Sequence, residues 1–239
     1  MKAYARTDVG KKRSMNQDFL YCGENPTGSF QNLFIVADGM GGHKAGDHAS
    51  SLCVETVVSS IEHSVHMTPV SIYAEAIEAA NLAVYEEAMD NFEYEGMGTT
   101  FVSCTIADHV MYVANIGDSR LYLLRKHLEQ ITEDHSLVSE LVRNGKLTES
   151  EARMHPQKNI ITRALGTDDE VSADYFEKQL ESGDKILLCS DGLSNMVDNE
   201  EIEYILRHSE SVKKAANALV DKANQNGGED NISVIVIEI

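Results

Sequence analysis

The chain has 239 residues, 39 of them acidic and 20 Lys or Arg, so its formal charge is −19 at pH 7. A surface this negative excludes proteins that hold nucleic acid or anionic lipid through charge. With 42% hydrophobic residues, 3 Pro and no Trp the composition is globular, with ample material for a core, and no apolar run approaches the ~18 residues of a membrane span.

Residues 1–9 and 18–22 read as short strands joined by a polar loop, GKKRSMNQD, that carries Arg13, Asn16, Gln17 and Asp18. Residues 33–37, LFIVA, are long enough for a buried strand and too short for a useful helix. That run meets Asp38, followed by Gly39, Gly41 and Gly42. Over 44–64, Ala49, Leu52, Cys53, Val57 and Ile61 form a helical stripe. Thr68 and Pro69 then supply an N-cap and a first-turn proline for a second helix, which reaches about residue 92.

Residues 98–107 and 110–115 predict paired strands around a turn at Asp108 and His109, and 121–124 with 128–131 a further hairpin. The segment 134–167 is different in character. It is charged, with short helical patterns at 137–142 and after the capping box Thr148-x-x-Glu151. A break at His155-Pro156 and a weak strand at 159–163 follow, and the whole reads as an excursion from the core. Strands resume at 175–180 and 185–189, helices cover 198–206 and 212–224, and a last strand spans 232–237. Without regular β-α-β alternation, the order fits two antiparallel sheets with helices outside, an α+β arrangement.

Cys22, Cys53, Cys104 and Cys189 make no C-x-x-C pair, and three sit in apolar runs, as reduced thiols do. No apolar stretch accompanies the basic Lys11-Lys12-Arg13, so no secretory signal is expected and the expected compartment is the cytoplasm.

The chemistry-bearing pattern is an Asp beside Gly where apolar runs end. Asp38-Gly39, Gly117-Asp118 and Asp191-Gly192 show it, and in mirrored order Gly228-Glu229-Asp230 brings an Asp within two residues of Gly. Each alone is ordinary turn chemistry. Four of them, if their strands share a core, bring carboxylates to one edge, and convergent carboxylates suit hard cations. Zinc-binding, G-x-S-x-G and Walker motifs are absent from the sequence.

Taken in order, RSMNQD (13–18), VADGMGGH (36–43), GTT (98–100), IGDSR (116–120), CSDG (189–192) and EDNI (229–232) resemble the motif set of the metal-dependent type 2C protein serine/threonine phosphatases. The likeness is greatest to the small bacterial members that oppose eukaryotic-type Ser/Thr kinases, and it spans essentially the whole chain. It implies a β-sandwich of two antiparallel sheets flanked by helices on both sides (α-β-β-α). It also implies one catalytic domain over 1–239, with 134–167 as a flap.

By that resemblance Asp38 bridges two Mn²⁺ or Mg²⁺ ions, Asp191 and Asp230 hold one of them, and the Gly39 carbonyl holds the other. Asp18 acts through waters, and Asp118 with Asp191 matches a third-ion position. The implied reaction is hydrolysis of phospho-Ser/Thr in proteins by a water or hydroxide activated between two ions. A monomer is expected, with a cognate Ser/Thr kinase among its substrates and no nucleic-acid or membrane partner. Arg13 is the candidate for gripping phosphate, because a guanidinium matches two phosphate oxygens at once.

Two departures from the family pattern stand out. Met40 occupies the place where eukaryotic members commonly carry a His proposed to protonate the leaving oxygen; His43, close by, reads as a loop or helix-start histidine. Gln17 replaces a frequent Glu, so its expected role is hydrogen bonding to water rather than charge. Two other readings fit the same residues: a catalytically silent phosphoprotein-binding module, and a metal-dependent phosphatase of small metabolites.

Overall fold

The structure, a computed structural model, describes residues 1–42 and 45–239, so His43 lies outside the described residues. In chain order the first elements are strands β1 (Lys2–Asp8), β2 (Asp18–Gly23) and β3 (Leu33–Met40), then helices α1 (Ala45–His63) and α2 (Pro69–Asp90). Strands β4 (Gly98–Thr99), β5 (Phe101–Ala107), β6 (Val110–Ile116), β7 (Arg120–Leu124) and β8 (Leu128–Gln130) follow. Two short helices, α3 (Leu137–Arg143) and α4 (Glu149–Arg153), precede β9 (Asp174–Gln179) and β10 (Lys185–Cys189). The chain closes with α5 (Asp191–Ser194), α6 (Asn199–His208), α7 (Val212–Gln225) and β11 (Ile232–Glu238).

One sheet has the order β1-β11-β10-β7-β8 and the other β2-β3-β5-β6-β9, with β4 paired to the end of β3. The named strand pairs are antiparallel. Side chains alternate across each strand, and here both faces are covered. Phe34 and Val36 meet Leu188 and Ile235 between the sheets. Leu33, Ile35 and Ala37 turn the other way, onto α1 and α2. In the second sheet Leu187, Val234 and Val236 pack on α6 and α7. Burial on both faces is why these strands read as unbroken apolar runs rather than as an alternating pattern. The outcome is the expected α-β-β-α sandwich.

Local signals are realised where they were predicted. The Thr68 side chain accepts from Ser71 N at 3.3 Å, with Pro69 in the first turn of α2. The Thr148–Glu151 capping box closes in both directions. Asp108 and His109 both take positive φ, 50° and 62°, as a tight two-residue hairpin turn demands.

Four expectations need correction. The strand over 98–107 is broken at Thr100, whose N–H leaves the ladder to donate to Asp38 O at 2.9 Å. No strand forms at 159–163: Leu137 N bonds Ile160 O and Thr162 N bonds His135 O, a clasp around the isolated Ser136–Ile161 bridge. The second helix stops at Asp90, and a 3-10 turn over Phe92–Tyr94 follows, capped by the Asn91 side chain. Asp38 lies inside β3 and Asp191 opens the one-turn helix α5, so neither simply ends a strand. Among the described residues no helix is long and apolar enough to cross a membrane.

Candidate metal centre

Asp18 opens β2 and Asp38 sits near the end of β3, and the antiparallel register sets the two residues directly opposite one another. Like charges facing across a ladder destabilise it, so this pairing needs a compensating cation or proton. From the other sheet, Asp191 follows β10 and Asp230 precedes β11, strands that are hydrogen-bonded neighbours. Asp118 lies in the loop that leads from β6 in one sheet to β7 in the other. One end of the sandwich therefore gathers five acids from five separate segments.

The glycines beside them allow the backbones to close up. A Cβ on Gly192 would stand 1.9 Å from Asn231 O, so any side chain there would push the Asp191 and Asp230 loops apart. Gly117, at φ +98°, lies against Thr100, where a Cβ would come within 2.7 Å of that side chain.

A network of short polar side chains holds the acids in place. Thr100 Oγ1 accepts from Asp38 N at 3.0 Å and pairs with Ser119 Oγ at 2.8 Å, tying the Asp38 strand to the residue after Asp118. Ser190 Oγ donates to Asp18 Oδ2 at 2.8 Å, bridging the sheets. Asn231 accepts from Gln17 N at 2.8 Å and donates to Val9 O and Met15 O, which pins the loop that carries Arg13. Arg13 itself reaches Asp230 Oδ2 at 2.8 Å while half-exposed.

The electrostatics follow from this crowding. Asp38 is held well above the usual carboxylate range, first by burial and then by Asp18, Asp191, Asp118 and Asp230. Burial likewise pushes Asp18 up to about 7, against hydrogen bonds from Ser233 and Ser190 and with help from Asp191 and Asp230. Asp118 is raised by burial and by Asp191. Asp191 is raised by burial and Asp230, while the charges of Arg120 and Arg13 pull the other way. Asp38, Asp118 and Asp191 each keep some accessible surface; the mutual repulsion and the loss of bulk water around the carboxyl groups give the common direction.

These residues fit divalent cations that favour oxygen. Oδ1 of Asp18 and Oδ1 of Asp191 are buried and have no hydrogen-bond partner among the described residues. Among the described residues no three His, Cys, Asp or Glu side chains are already drawn into a closed cage: Asp230 turns to Arg13 and Asp18 to Ser190. An Mg²⁺-type ion keeps several waters and takes only one or two carboxylates, so a site for such ions does not require that cage. A cavity of about 570 Å³ opens beside Asp118 and Asp191 and extends under α3 and α4, with Arg143, Arg153 and Lys158 on its walls.

The structure brings Asp18, Asp118, Asp191 and Asp230 within electrostatic reach of Asp38 and sets Arg13 beside them. Gly39 N donates to Gln17 O at 3.0 Å, so Gly39 and Gln17 both back the Asp38 strand. Sequence reasoning gave no role to Thr100, Ser119, Ser190 or Asn231. Their signal was faint: each sits next to or inside a motif, but a hydroxyl or amide partner is recognisable only in three dimensions.

A sequence profile described as Protein phosphatase 2C matches residues 9–229. The serine/threonine phosphatase stp of Listeria monocytogenes is 42% identical over 100% of this chain and 96% of its own. Protein phosphatase PhpP of Streptococcus pneumoniae is 41% identical over 98% of this chain and 95% of its own. Among solved structures, the serine/threonine phosphatase Stp1 of Staphylococcus aureus superposes with a TM-score of 0.93 at 38% identity, covering 100% of this chain and 94% of that one. The catalytic domain of the phosphatase PstP, solved in complex with two manganese ions, gives a TM-score of 0.88 at 36% identity, covering 99% and 97%.

Proposed function

The chain belongs to the protein phosphatase 2C family and is a metal-dependent protein serine/threonine phosphatase, and we propose that Asp38, Asp191 and Asp230 are its cation ligands, with the Gly39 carbonyl and Asp18 completing the set. The observation that carries this reading is the convergence of acids from both sheets, with buried oxygens on Asp18 and Asp191 left unpaired among the described residues. Two Mn²⁺ or Mg²⁺ ions held there would neutralise the gathered charge and supply an activated water aligned with phosphorus. Asp118, which faces Asp191, would hold a third.

The chain's own side chains do the rest. Arg13 leaves Asp230 and grips two phosphate oxygens of the substrate. Met40 offers no proton to the leaving oxygen. The cavity beside Asp118 and Asp191 has room for residues flanking the phosphorylated side chain. The substrates are phospho-Ser/Thr proteins, a cognate Ser/Thr kinase among them. We place the enzyme in the cytoplasm as a monomer; its four cysteines, Cys53, Cys104 and Cys189 buried and Cys22 exposed, are all free thiols, as a reducing compartment allows.

The test is phosphate release from a phosphothreonine peptide with Mn²⁺. Turnover that a chelator abolishes is expected. Metal-independent turnover, or a strong preference for a small phosphorylated metabolite, would overturn the reading. Substituting Arg13→Ala should raise KM for the peptide about 10–100-fold at saturating Mn²⁺, the equivalent of one charge-assisted contact of ~1.5–3 kcal/mol. If Arg13 serves only Asp230, KM will hold and the Mn²⁺ requirement will move instead.

A further inference from the structure

His135 is buried at the base of the 134–167 excursion and closes a two-point clasp on Gly117, the residue before Asp118. Its backbone N–H donates to Gly117 O at 2.9 Å, and its ring Nδ1 lies 3.0 Å from Gly117 N. A backbone N–H can only donate, so Nδ1 is the unprotonated acceptor. In the neutral ring the proton then sits on Nε2, which faces Asp174 Oδ2 at 3.0 Å. Arg163 Nη1 stands 3.1 Å from the same Nε2, but there donor meets donor. Its bonds are those to Asp174 Oδ1 at 2.8 Å and Ser172 O at 2.9 Å. Each ring nitrogen thus has one assigned task.

The clasp acts where the backbone has most freedom to turn. Gly117 has φ +98° and no side chain with which to pack. Beyond Asp118, Ser119 is bonded to Thr100. Asp118 is therefore held from one side by Ser119–Thr100 and from the other by Gly117–His135. His135 also joins this point to the excursion, since its carbonyl accepts from Thr162 N and the neighbouring Asp134 pairs with Arg120 at 2.6 Å.

We propose that His135 is a positioning residue that aims the Asp118 carboxylate at its cation through the Gly117 N–H. The proposal rests on the reading of Asp118 as a cation ligand. Outer-shell partners of this kind typically contribute 10–100-fold in metal affinity, so an effect of about that size is expected here.

The test compares wild type with D118N, H135N and H135Q by counting free Mn²⁺ in an EPR titration. Asn at 135 can place an acceptor near the Nδ1 position and keep the Gly117 bond; Gln reaches only towards Asp174. Wild type should show a class of site that D118N loses, H135Q should weaken that class roughly 10–100-fold, and H135N should stay near wild type. In ¹⁵N-labelled protein the Gly117 amide proton should be strongly downfield in wild type and in H135N, and shifted upfield in H135Q. H135Q binding Mn²⁺ like wild type, or H135N as impaired as H135Q, would overturn the proposal. A D118N titration that matches wild type would instead remove Asp118 from the ligand set, and the positioning role would fall with it.

Discussion

Substituting Asp38→Asn is expected to lower kcat/KM on a phosphothreonine peptide by more than roughly 100-fold, beyond what loss of an outer-shell partner costs. In chelator the same substitution is expected to raise the melting temperature. Both follow from one position. Asp38 faces Asp18 across the β2–β3 ladder and is within electrostatic reach of Asp191, Asp118 and Asp230. Without a cation that carboxylate is the centre of the repulsion, and Asn, nearly the same shape, removes its charge. With a cation it is the acid the other four surround. A purely structural Asp38 would give the reverse pair of results: activity retained, and a lower melting temperature in chelator. The assays are steady-state hydrolysis in Mn²⁺ and a thermal melt in EDTA.

The second large effect is a pH-dependent stability that divalent cation abolishes. Asp18, Asp38, Asp118 and Asp191 are all raised in the folded protein, above the ~3.9 of an unfolded Asp. A raised acid binds more protons folded than unfolded. Its contribution is full below about pH 4 and is lost as pH climbs through the folded value, about 7 for Asp18. Asp174 and Asp184 are shifted the other way: burial alone would raise them, but hydrogen bonds from His135 and Arg163, and from Arg125, outweigh it. Their stabilisation is lost only as pH falls below the ordinary carboxylate range, so between pH 5 and 8 they add no slope.

In EDTA the melting temperature should therefore fall by on the order of 5–10 °C from pH 5 to pH 8. Asp18→Asn should flatten that fall. On the proposed ligand set, Mn²⁺ would bind only the folded state with its acids deprotonated, so the gain it brings should grow with pH. A chelated protein whose melting temperature rises from pH 5 to 8, or a Mn²⁺ effect independent of pH, would mean that these acids are not crowded as described.

Much of this was legible along the chain because it is written within a few residues. The Thr68-Pro69 start of α2 and the Thr148–Glu151 box are local hydrogen-bonding devices, and both formed. The Asp and Gly spacing marked acids that the structure gathers at one end of the sandwich, where Gly192 lies against the Asn231 backbone and Gly117 against the Thr100 side chain. Other features resisted. A one-turn helix such as α5 has no periodicity to read, and the 159–163 stretch looked like a strand while its polar groups went into a clasp with 135–137.

By itself the sequence determined where apolar runs make strands, which acids stand near permissive backbone, and the sign of the overall charge, since composition and short-range spacing are properties of the chain. Only the tertiary structure decided that Asp18 stands opposite Asp38, that Ser190 spans the two sheets to hold Asp18, and that His135 clasps Gly117. The physical reason is one of range: helix caps and turns are settled by groups within a few residues, whereas register and cross-sheet hydrogen bonds are settled by which surfaces meet when the sandwich closes.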